Sequence, residues 1–104
     1  MLNVSVVEQK KELLGLDVYL AIIQAYKQEL PVLLKALEKR EGRAFALHSL
    51  KSISFSVGLD DIGRHVQHIE QALVNGAELT VDGYIRRLSS RIAESLSELE
   101  NLVC

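Results

Sequence analysis

The chain has 104 residues, 48% of them apolar and 25% charged, a formal net charge of -2 and a single cysteine. That length makes one domain, residues 1–104, able to hide roughly two-thirds of its unfolded surface, and the apolar fraction argues against disorder. Mild acidity without a basic tract argues against nucleic acid as a partner, and one cysteine excludes an internal disulfide and a multi-cysteine zinc site. No apolar run approaches the ~18 residues of a membrane span. The N-terminus lacks the basic-then-apolar order of a secretory signal, so a cytoplasmic protein without membrane attachment is expected. Met1 and the compact length read as a free-standing protein, and the terminal Cys104 as a frayed surface thiol.

In chain order, Val4 to Leu14 reads either as a short helix or, because Asn3 to Val7 alternates, as something more extended. Leu16, Leu20, Ile23, Tyr26, Leu30, Leu33 and Leu37 then step by threes and fours, the spacing of one helix face. Pro31 interrupts this run, but the apolar rhythm continues in phase, which predicts one bent helix. Gly42 precedes a third helical stretch over about 43–57. Gly58, Asp60 and Asp61 separate it from a fourth over 61–74, with Asp60 as candidate N-cap. After Asn75-Gly76, Thr80 is the candidate N-cap of a last helix whose stripe is Val81, Ile85, Leu88, Ile92, Leu96, Leu99 and Val103. Lys39, Arg40 and Arg43, with Glu38 and Glu41, read as a charged connection. The expected fold is all-α, an up-down-up-down four-helix bundle with room for a short additional N-terminal helix.

The third helix carries a histidine on its outer face. At about 100° per residue, Ala46, Leu50, Ile53 and Val57 form the core stripe, and His48 points roughly opposite. Its neighbours one turn away are the small Ala44 and Ser52, with Lys51 three residues on. An accessible imidazole beside a cation suits nucleophilic attack that leaves an anion on the ring. If the third and fourth helices are antiparallel about Gly58-Leu59, Glu70 lies level with His48. A carboxylate there can accept the Nδ1 proton, fix the tautomer and leave Nε2 to react.

His48-Ser49-Leu50-Lys51-Ser52, followed by Gly58, resembles the H-x-L-K-G-(x5)-G pattern of histidine-containing phosphotransfer (HPt) domains, four-helix carriers in phosphorelays. The similarity extends over nearly the whole chain in its helical layout. Ser52 stands where the pattern has Gly, and Phe55 where small residues are commoner. The resemblance implies that His48 is the phosphoacceptor, Lys51 the partner of the phosphoryl group, Glu70 the group that orients the imidazole and Gly58 the helix-ending turn. It implies a carrier rather than an independent catalyst, and as partners response-regulator receiver domains and a hybrid sensor kinase. The chain would have no cofactor of its own, Mg²⁺ sitting on the receiver, and would act as a monomer.

Nothing in the sequence resembles a nucleotide-binding Gly-rich loop. Phe55 lies near the azimuth of His48, either at the centre of a docking strip with Ala44 and Ser52 or packed under the N-terminal segment. Arg64 and Gln67 on the fourth helix are candidates for the rim of that strip. His65 and His68 have the i, i+3 spacing of a ligand pair, but no converging ligands appear, so they read as surface or boundary histidines and no metal site is expected. The alternative function is a helical adaptor that binds receiver-type domains without carrying phosphate, with His48 incidental.

Overall fold

A computed structural model describes residues 2–103. Cys104, and with it the expectation of a surface thiol, lies outside the described residues, as does Met1. The described chain is all-helical: α1 (Val4–Leu14), α2 (Leu16–Ala36), α3 (Arg43–Val57), α4 (Asp60–Val74) and α5 (Glu78–Val103), with a 3₁₀ turn over Arg40–Gly42. The N-terminal segment is therefore a helix. Asn3 caps it, its side-chain oxygen accepting from the Val6 N–H at 3.4 Å.

α2 runs through Pro31 without a break, although the proline forfeits the bond its N–H would give the Lys27 carbonyl. The buried face at the start of α2 is set by Tyr19 and Ile23, while Leu16 and Leu20 remain exposed. Tyr19 takes the inner position because its hydroxyl donates to the Val57 carbonyl at 2.7 Å, satisfying an acceptor in the last turn of α3. One stretch further along, Tyr26 and Ser54 share a buried hydrogen bond of 2.9 Å. Burial pushes both phenols up to about 12, with a smaller contribution from Asp60 at Tyr19 and from Asp61 at Tyr26, where the Ser54 hydroxyl pulls the other way. These two tyrosines fix the C-terminal half of α3 against α2.

Neither acidic nor hydroxyl N-cap foreseen for the last two helices is used. Leu59 stands at the cap position of α4 with no side-chain cap bond, and Asp60 is already the first helical residue. α5 begins at Glu78, which puts Thr80 inside its first turn. In both places an acidic residue in the first turn meets the positive end of the helix dipole instead. Arg43 does not belong to the charged connection in which the sequence places it. It is the first residue of α3 and buried, its Nε donating to the Leu37 carbonyl at 2.8 Å and its Nη1 meeting Asp82 Oδ1 at 2.8 Å. A carbonyl left over at the end of α2 and a carboxylate on α5 converge on one guanidinium there.

Ala46, Leu50 and Val57 are buried as a stripe of α3, with Ile53 half-buried beside them, and Leu47 joins them in the core. The turn out of α3 brings the site together. Gly58 takes a left-handed φ of 91°, a conformation in which a side chain is strained, and a Cβ there would also come within 3.1 Å of the Tyr19 hydroxyl. The Gly58 and Leu59 N–H groups return to the Phe55 and Ser54 carbonyls, and the fully buried Leu59 anchors the turn. Beyond it Phe55 meets Gly63 and His48 meets Glu70, so numbers rise on α3 as they fall on α4 and the two helices run antiparallel. A Cβ at Gly63 would lie 2.7 Å from the Phe55 ring. Glycine at this point lets the ring lie against α4 and sets how closely the two helices approach.

Candidate functional site

On the solvent side of α3, Phe45, His48 and Ser52 follow one another at i, i+3 and i+7, the spacing of one helix face. The His48 side chain is 70% exposed. Ala44 and Ser52 are exposed on either side of it, and neither carries a side chain large enough to cover the ring. The antiparallel hairpin places Glu70 opposite, its Oε2 3.9 Å from the His48 Nδ1. That separation is one of charge proximity and is too long for a hydrogen bond. Glu70 Oε1 instead holds the Lys51 ammonium at 2.8 Å. The Lys51 side chain is only 26% exposed, because the lysine leans across to the carboxylate of α4. The three residues singled out for chemistry thus lie in one cluster, in which one carboxylate faces two basic groups.

The remaining candidates divide. Arg64 and Gln67 are exposed on α4. Phe55 is half-buried, and its ring lies against Gly63 of α4. The aromatic ring that stands in solvent on this face is Phe45, 75% exposed and one turn before His48. Its wheel position beside His48 is readable from spacing alone. Gly63 also leaves a trace in the sequence. Its signal is a glycine inside an otherwise regular amphipathic stretch, which marks close approach of another element.

The other two histidines sit differently. His65 is half-buried, its ring edge-on to Tyr84 with centroids 5.7 Å apart, and its Nε2 is buried without a hydrogen-bond partner. Burial lowers its pKa below the ordinary histidine value, and the charges of Arg91 and His68 add to this. His68 is exposed. Among the described residues no three His, Cys, Asp or Glu side chains are placed to share a metal ion, and no helix is long and apolar enough to cross a membrane. Comparisons with protein-family models, with characterised proteins and with solved structures gave no significant match to this chain.

Proposed function

We propose that this chain is a phosphorelay carrier of the HPt type, in which α2 to α5 form an up-down-up-down bundle with α1 laid against α2. The crossed numbering of the contacts Tyr19–Val57 and Tyr26–Ser54, Phe55–Gly63 and His48–Glu70, and Asp61–Ser95 and His65–Tyr84 supports that arrangement. One observation carries the functional reading: a largely exposed imidazole whose Nδ1 edge faces a carboxylate and whose helix presents a lysine one turn on. Nε2 of His48 attacks the phosphorus of an aspartyl phosphate on a receiver domain. The P–N bond forms, the P–O bond to the aspartate breaks, and the aspartate leaves as carboxylate. Transfer to a second response regulator is the reverse step on a new aspartate. In-line phosphoryl transfer needs positioning and charge neutralisation more than covalent machinery, which the receiver and its Mg²⁺ supply. Lys51 answers the charge of the phosphoryl group on this side. The phosphate reaches the relay from a hybrid sensor kinase, and the carrier works as a cytoplasmic monomer. Ala44 and Ser52 let the receiver approach, with Phe55, Arg64 and Gln67 around them and Phe45 added at the exposed apolar position.

Incubation with a phosphorylated receiver should leave on the chain a phosphate that survives base and is lost in acid, and His48→Gln should abolish it. Lys51→Ala should slow loading while helical content is kept. A second reading, an adaptor that binds receiver-type domains without taking phosphate, is favoured by the pairing of Lys51 with Glu70, which leaves its ammonium already neutralised. On that reading His48→Gln leaves receiver binding unchanged and no phosphate is ever found on the chain.

A further inference from the structure

We propose that Glu70 is a positioning residue that changes partner: it holds Lys51 while His48 is bare, and closes on the His48 Nδ1–H once an anion on Nε2 has drawn Lys51 away. The identity of that anion, a phosphoryl group, rests on the function proposed above; the competition of Lys51 and His48 for one carboxylate does not. The two oxygens of Glu70 are already divided between the two groups. Oε1 makes a charge-assisted contact of 2.8 Å with Lys51, and Oε2 stands 3.9 Å from His48 Nδ1. A movement of about 1 Å separates the second distance from a hydrogen bond.

The exchange follows from charge. A phosphoryl group carries nearly two negative charges at neutral pH, whereas Glu70 carries one, and the attraction of the Lys51 ammonium scales with that charge at equal distance. Lys51 and Glu70 are both partly open to water, at 26% and 22%, so parting them leaves neither charge stranded in a dry interior. Once Lys51 has moved, Glu70 has lost its cation and faces a ring N–H within reach. The hydrogen bond it then makes holds the loaded imidazole in one orientation. Departure of the phosphoryl group returns Lys51 to Glu70. Bare and loaded forms therefore present different charges on the face that a partner meets.

Nitrogen-15 NMR of the His48 ring in the intact chain tests the competition directly, at a pH about two units above the ordinary histidine value, where imidazoles are neutral. Lys51→Met should shift the ring toward the Nδ1–H tautomer by at least about twofold, the least that one added hydrogen bond gives. Adding Glu70→Gln to that variant should cancel the shift, and Glu70→Gln alone should do little. An unchanged tautomer ratio in Lys51→Met, or a shift that survives Glu70→Gln, would overturn the exchange. Phosphoramidate, a small phosphodonor, supplies the loaded form. Its phosphorylation of His48 should move the Glu70 carboxyl carbon resonance in the wild type, and a stationary resonance counts against the exchange while leaving the carrier reading intact. A coupled tautomer shift in a chain that no receiver will load has the opposite meaning: the exchange stands and the carrier reading fails.

Discussion

Two cation–carboxylate clusters lie two turns apart on α3, and they differ in almost everything but charge. At the start of the helix Arg43 is 8% exposed, its Nε is committed to the Leu37 carbonyl, and its Nη1 reaches Asp82 at 2.8 Å and Glu78 at 3.7 Å. One planar fork joins the end of α2, the start of α3 and the start of α5, and the buried guanidinium cannot let go of its partners without its own charge being left unpaired in the interior. Further along, Lys51 offers a point charge on a flexible stem to a carboxylate at the edge of water, with a histidine waiting on the other oxygen. The first cluster is a clamp and the second can exchange partners. Burial and the number of committed donors decide which, and the sign of the charge does not.

The comparison breaks or holds on stability. Arg43→Ala should cost about 3 kcal/mol in urea unfolding, because the Leu37 carbonyl loses its donor and Asp82 its nearest cation. A cost near zero would show that the guanidinium is dispensable. Gly63→Ala should come next at about 2 kcal/mol, since its methyl group would meet the Phe55 ring at 2.7 Å and force α3 and α4 apart. Weakened coupling between Lys51 and Glu70 in the same variant would tie the exchangeable cluster to that helix spacing. Glu70→Gln should cost less than about 1 kcal/mol. If it destabilises the chain as much as Arg43→Ala, the two clusters are alike and the distinction falls.

Sequence spacing foretold the helical stretches and most of their breaks, because amphipathic periodicity and glycine are local properties of the chain. The level placement of Glu70 and His48 was also legible, since a short turn at Gly58 fixes the register of the hairpin. Where the ends of separate helices meet was not. Arg43 looks in sequence like one more member of a charged connection, and only the convergence of Leu37 and Asp82 from α2 and α5 makes it a buried clamp. The same limit hid the pairing of Lys51 with Glu70. Level residues can be counted along a hairpin, but a lysine long enough to reach a diagonal neighbour has several partners to choose from. The spacing puts Phe55 near the azimuth of His48, yet its contact with Gly63 depends on a glycine whose meaning appears only when α4 is laid alongside.

The smallest expected effect concerns His65, the histidine that the proposed chemistry leaves aside. Its pKa is held below the ordinary value by burial, then by Arg91 and His68, so the unfolded chain takes up a proton that the folded chain resists. Its contribution to stability is complete above about pH 6.5 and declines as the pH falls below that value. Thermal unfolding at pH 7.5 and 5.5 should show the lower midpoint at the lower pH, and His65→Gln should narrow the gap. A gap unchanged in that variant would place the acid sensitivity elsewhere.

The central claim is that His48 is where phosphate resides. Phosphorus–nitrogen correlation NMR on the uniformly ¹⁵N-labelled chain, after incubation with a phosphorylated receiver, reads that bond atom by atom. The account predicts one coupled ring, that of His48, bonded through Nε2. A coupled nitrogen on His65 or His68, or no coupled nitrogen at all while the receiver still binds, would contradict it.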